Sequence, residues 1–68
     1  MTETPNPQRL LSLAEVRSRV GLGKATIYSR IQNGSFPKPV RLGASSRWVE
    51  TEIAQWIEER IEERDKAA

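Results

Sequence analysis

Apolar residues along the 68-residue chain fall into spaced sets, separated where glycine and proline break the pattern. Leu13, Val16 and Val20 recur at the three- and four-residue interval of one helical face. Ser12 precedes them and Glu15 follows it by three positions. This is the capping-box pattern, in which each side chain satisfies the other's free backbone donor. Gly21 tolerates the left-handed conformation that ends a helix, so the spacing predicts helix one over residues 13–20. A second helix is expected to start at once. Gly23 stands at its N-cap, Leu22 and Ile27 have hydrophobic-staple spacing, Ile27 and Ile31 share an inner face, and Asn33-Gly34 stops it. Two short helices joined by a turn at Gly21-Leu22-Gly23 make a helix-turn-helix.

Beyond residue 34 the pattern changes. Phe36-Pro37-Lys38-Pro39 cannot continue a helix, because each proline disfavours helical backbone in the residue before it. Val40-Arg41-Leu42 and Arg47-Trp48-Val49 flank Gly43-Ala44-Ser45-Ser46, which has the composition of a turn. A two-stranded hairpin, or wing, is expected there, with Ser45 and Ser46 at its tip and Arg41 and Arg47 on either side. The last segment is helical again: Ile53, Trp56, Ile57 and Ile61 line one face and glutamates fill the others. It is expected over residues 50–64, fraying after Arg64, with no good cap before Glu50. Trp48, Trp56 and Phe36 carry most of the core's aromatic area, and core packing outweighs base stacking for both tryptophans. The fold class is therefore mostly α with a small β-hairpin: one winged helix-turn-helix domain over residues 9–64, a polar, proline-broken arm over 1–8 read as mobile, and a frayed tail over 65–68.

Composition narrows the function. A chain this short holds one core and no deep substrate cavity beside it. It has neither histidine nor cysteine, and so lacks the commonest general base, the usual zinc ligands and any disulfide. No enzyme activity, cofactor or metal is expected. The lack of cysteine and of an apolar leader or membrane-spanning run fits a cytoplasmic, nucleoid-associated protein. Gly21-Leu22-Gly23-Lys24 is no phosphate loop, since Ser18 stands where the first glycine belongs and Ala25 where the metal-binding hydroxyl belongs. Asn33-Gly34-Ser35 matches a glycosylation pattern only formally. The pairs Glu58-Glu59 and Glu62-Glu63 read as a solvated face.

Net charge is only +2, but it is unevenly placed. Residues 1–49 hold eight basic and two acidic groups, net +6, whereas residues 50–68 hold three basic and seven acidic groups, net −4. This suggests a basic face for a polyanion and an acidic helix turned away from it, although ordinary solvated surface gives the same count. If the second helix reads DNA, its inner face is spent on Ile27 and Ile31. Ala25, Thr26, Ser29 and partly Arg30 then turn outward, with Lys24 and Tyr28 at the flanks. Lys24 lies near the helix start, where free N–H groups attract phosphate, and Thr26 and Ser29 carry short hydroxyls suited to phosphate or base contacts. Tyr28 reads either as a sugar and phosphate contact or as a core edge. In the wing, Arg41, Arg47, Ser45 and Ser46 are candidates for the backbone or the minor groove, with a glutamate pairing the alternative for Arg41. Lys38 is a further candidate.

Several stretches taken together resemble the AlpA family of small prophage regulators. They are Arg9 to Val16, Gly21 to Tyr28, Ile31 to Val40, Leu42-Gly43, Arg47-Trp48 and Glu52 to Ile57, within residues 9–61. Thr26-Ile27-Tyr28, Phe36-Pro37-Lys38-Pro39 and Arg47-Trp48 ahead of a Trp56-Ile57 helix are specific only in combination. The resemblance implies a MerR-like winged helix and a role in prophage or integrated-island biology, as transcriptional regulator, excisionase or both. It implies helix two in the major groove, the wing on the backbone, and duplex DNA as the partner, beside an integrase, a recombinase or RNA polymerase. One such module covers only about 600–1,000 Å², so cooperative self-association along DNA is also expected. The alternative is a protein-interaction module, an antirepressor or integrase partner acting through the acidic last helix, with Ile61 and the glutamates docking on a basic partner.

Overall fold

The computed structural model describes residues 9–67. The element order is β1 (Leu10–Leu11), α1 (Leu13–Val20), α2 (Lys24–Gln32), β2 (Val40–Leu42), β3 (Ser45–Val49) and α3 (Glu50–Ala67). This is the winged helix-turn-helix the sequence predicts, with one strand more. β1 pairs antiparallel with β3, Leu10 opposite Val49 and Leu11 opposite Trp48, giving the sheet order β1-β3-β2. A two-residue strand has no alternation to reveal it.

Each helix boundary has an identifiable cause. At the start of α1, Glu15 N–H donates to Ser12 Oγ at 3.2 Å and Ser12 N–H donates to Glu15 Oε1 at 2.9 Å, closing the capping box. The Ser12 N–H holds the Glu15 carboxyl below its ordinary value of 4.5; partial desolvation opposes this, and the Ser12 hydroxyl and the charges of Arg9 and Arg19 reinforce it. Gly21, at φ 71°, ends α1 with its N–H on the Arg17 carbonyl. A Schellman motif ends α2. Gly34 is left-handed at φ 81°, its N–H donates to Ile31 O at 3.2 Å, and Ser35 N–H donates to Arg30 O at 2.8 Å. Asn33 Oδ1 fixes the exit by accepting from both the Ser35 hydroxyl and its N–H. α3 has no side-chain cap to use, and the lead-in to β1 substitutes for one: Glu50 N–H donates to the carbonyl of Arg9, the residue before the strand, at 2.8 Å.

The core draws one buried side chain from every helix: Val16, Ile27 and Ile53. Leu11 and Trp48 come from the sheet, and Phe36 from the loop. Leu13, Val20, Ile31, Trp56 and Ile57 pack around them half-buried. The loop of residues 35–37 cannot join a ladder on either side of prolines that lack N–H groups. Its carbonyls take side-chain donors instead: Trp56 Nε1 reaches Ser35 O at 2.7 Å and Trp48 Nε1 reaches Pro37 O at 3.0 Å. Phe36 is thereby held edge-on against Trp56, with ring centroids 4.9 Å apart.

Two boundaries and one burial differ from expectation. The hairpin turn is the two residues Gly43-Ala44, because Leu42 pairs with Ser45 and Arg41 with Ser46. Ser45 and Ser46 therefore belong to β3 and not to the tip. Gly43 at φ 61°, followed by a residue without positive φ, has the form of a type II′ turn, which matches the strand twist. α3 continues to Ala67 where fraying was expected after Arg64. Arg64 and Lys66 oppose the helix dipole in the last turn, and Arg60–Glu63 and Arg64–Asp65 pair along it, both at 3.0 Å. Ile61, expected in the core stripe, is 38% exposed because the body of the domain ends before it.

Two outcomes test this account. Trp48→Phe leaves the Pro37 carbonyl without its donor and, at a fully buried position, opens a cavity where part of the indole stood. It is therefore expected to cost more in denaturant unfolding than the unpaired carbonyl alone, which costs about 1–3 kcal/mol. Ser12→Ala is expected to raise the titration of the Glu15 carboxyl, followed by NMR, and to lower the melting temperature. A depressed carboxyl contributes stability at neutral pH that is lost as pH falls through its folded value, so the gap from wild type narrows below pH 4.5.

Candidate nucleic-acid interface

Helix α2 turns Ile27 fully inward and leaves Lys24, Ala25, Thr26 and Ser29 exposed. Its N-cap, Gly23, is extended at φ −78° and supplies no side-chain hydrogen bond, so the first-turn N–H groups stay open beside Lys24. Tyr28 is half-buried and meets the Trp48 ring edge-on, with centroids 6.3 Å apart. Its ring braces the core at the border of the exposed face. Arg30 turns the other way. Its guanidinium lies 6.0 Å from the Trp56 ring centroid and its Nε is buried without an acceptor among the described residues. Lys24, Ala25, Thr26 and Ser29 are brought together; Arg30 is directed towards α3.

The strand register sorts the wing residues, since directly opposed antiparallel residues share a face. Arg41, Ser46, Trp48 and Leu11 occupy the face that packs on the helices; Val40, Leu42, Ser45 and Arg47 occupy the outer one. Arg41 and Arg47 thus flank the turn as expected but point to opposite sides of the sheet. Arg41 and Ser46 share their side with Trp48, which carries Tyr28 of α2. Arg47 Nη1 donates to the Ser46 carbonyl at 2.9 Å along the outer face. Lys38 is exposed in the loop two residues before β2 and lines a groove with Glu52, Glu59 and Glu63 of α3 without pairing with them.

Ion pairing separates the cations further. Arg9 lies 3.3 Å from Glu15 and 3.4 Å from Glu50, Arg19 lies 2.9 Å from Glu50, and Arg60 and Arg64 pair with acids of α3. No acid of the described residues forms an ion pair with Arg17, Lys24, Lys38, Arg41 or Arg47. Arg17 was not a candidate from sequence. It is exposed and lines a groove with Ala14, Ser18, Gly21 and Gly23, so it stands at the turn that leads into the uncapped start of α2. The readable signal was Ala14, Arg17, Ser18 and Gly21 at helical spacing, a strip of small and basic residues opposite the acid-paired flank.

A family model described as the prophage CP4-57 regulatory protein (AlpA) matches residues 9–61. The chain belongs to the AlpA family of prophage regulators. It is similar to the DNA-binding transcriptional activator AlpA of Escherichia coli K12, 36% identical over 59 residues that cover 76% of this chain and 84% of that protein. It is also similar to the uncharacterized protein ORF88 of Enterobacteria phage P4, 37% identical over 60 residues that cover 87% of this chain and 68% of that one. No solved structure matches it. The matched span of this AlpA-family chain contains the whole of α1, α2 and the hairpin, and stops within α3 at Ile61.

The sorting of α2 is testable by stability alone. Arg30→Ala removes packing and a cation–π contact on Trp56 and is expected to cost about 0.5–1 kcal/mol. Lys24→Ala, at an exposed helix start, is expected to stay within about 0.5 kcal/mol of wild type in the same denaturant titration.

Proposed function

We propose that this chain binds double-stranded DNA as a regulator of a prophage or integrated mobile element. The first half of α2 enters the major groove, with Thr26 and Ser29 towards base edges and phosphates and Ala25 allowing close approach. Lys24 and the open N–H groups after Gly23 hold a phosphate on one side, and Arg17 holds the backbone beside the α1–α2 turn. Arg41 and Ser46 meet the backbone or the minor groove from the wing, Tyr28 borders the sugar edge, and Arg47 and Ser45 lie further out. The observation that carries this reading is the partition of charge: among the described residues Arg17, Lys24, Arg30, Lys38, Arg41 and Arg47, on the helix-turn-helix, the loop and the wing, form no ion pair, while Glu15 and the acids of α3 pair with Arg9, Arg19, Arg60 and Arg64. A cation left without an acid on a small protein is available to phosphate. The name of the Escherichia coli relative, a DNA-binding transcriptional activator, supports the same reading.

Selection of bound duplexes from a random library at two salt concentrations tests it. An enriched motif that survives the higher salt is expected. Arg17→Ala and Lys24→Ala are each expected to weaken binding similarly across sequences and to lower the salt slope by about one unit. Motif repeats at helical-turn spacing would place the chain among excision factors, and a single site beside a promoter among transcriptional regulators. Binding without a motif that vanishes at the higher salt would reject sequence reading.

A further inference from the structure

α3 carries seven of the acids, yet its exposed apolar surface is not acidic. A groove of about 240 Å³ runs between the end of α1 and the last turns of α3. Val20, Trp56, Ile57 and Ile61 form its floor, Arg19, Arg60 and Arg64 form its rim, and no carboxylate lines it. At about 100° per residue, Arg60 and Arg64 fall on the same side of Ile61 as Ile57 and Trp56, and Glu58, Glu62 and Asp65 fall on the other. The stripe that buries Ile53 therefore continues as an arginine-flanked apolar strip, half-buried at Trp56 and Ile57 and exposed at Ile61. A cavity of roughly 150 Å³ accepts a benzene-sized group, so this groove has room for one large apolar side chain.

The rim is open to exchange. Arg19, Arg60 and Arg64 hold their present acids in surface pairs, with side chains 40%, 34% and 75% exposed. Pairs of this kind contribute little and yield readily to another carboxylate. Arg60 stacks 5.1 Å over the Trp56 ring, and its Nε is buried without an acceptor among the described residues. We infer that this groove is a protein-docking site for an acidic amphipathic segment of a partner, one large apolar side chain in the groove and carboxylates around it on the three arginines. The charge is opposite to that suggested by the net −4 of the last helix. The apolar anchor lies on the arginine flank; Glu58, Glu62 and Asp65 face away from it, and Glu59 and Glu63 border it through their pairs with Arg60. A second copy of this chain fits less well as an antiparallel two-fold pair, because that symmetry sets the arginine flanks of both copies side by side.

The groove uses no residue of the proposed DNA face, so the two readings fail separately. The test is selection from a random peptide library on the full-length protein, followed by affinity measurement with the enriched peptides. Peptides with acids around one large apolar residue are expected. Their binding is expected to drop at least about tenfold in Ile61→Glu and in Arg64→Glu, two exposed positions whose changes leave the domain body and the DNA affinity intact. Lack of enrichment, enrichment of basic or uncharged peptides, or affinities unchanged in both variants would overturn the proposal. So would sedimentation showing that the same two changes abolish a dimer of the protein alone.

Discussion

Two indole N–H groups hold this fold together at the point where its helices meet its sheet. The chain must pass from the end of α2 to the start of β2 through Phe36-Pro37-Lys38-Pro39, a segment that cannot form regular hydrogen bonds. Trp56 from α3 takes the Ser35 carbonyl and Trp48 from β3 takes the Pro37 carbonyl. Each tryptophan also packs its ring, Trp48 against Leu11 and Tyr28, and Trp56 against Phe36 and under two arginines. A buried carbonyl without a donor costs about 1–3 kcal/mol, and a domain of this size has few such increments to lose. The same two contacts fix the wing relative to α2. Trp48 lies in the central strand and meets Tyr28 edge-on, which sets the hairpin beside α2.

Much of this was legible in the sequence, and the exceptions have physical causes. Helices α1 and α2 announced themselves through period, capping box and glycine stops, and their boundaries follow the residues that encode them. The tryptophans read correctly as core. β1 escaped because its two residues look like the lead-in to a helix, although the carbonyl of Arg9 just before it is what allows α3 to start at Glu50 without a cap. The turn was read two residues too long because Ser45 and Ser46 have turn composition. Register decides otherwise, and register also separates Arg41 from Arg47, which a linear reading groups. Arg30 and Ile61 show the complementary limit. Periodicity gives the angle of a side chain on its helix but not how far the neighbouring body extends, so Arg30 was drawn outward and Ile61 inward.

Charge shows the same limit on a larger scale. The excess of cations before residue 50 and of acids after it is real, but function depends on which cations are left over once pairing is done. Glu15 and Glu50 take up Arg9 and Arg19 at the junction of β1, α1 and α3. Arg17, two residues before Arg19 on the same short helix, is left without an acid at the turn into α2. A basic strip at the helix-turn-helix and the inner face of the wing then stands apart from an arginine-rimmed groove on α3, and the two are suited to different partners.

The most direct measurement is backbone chemical-shift mapping of the labelled protein with a selected duplex. The account predicts perturbations concentrated at Arg17, at residues 23–26, at Ser29 and at Arg41 to Ser46, with the last two turns of α3 unchanged. Perturbations centred on Ile61 and Arg64, or on Leu10 and Val40 of the outer sheet face, with α2 silent, would contradict it.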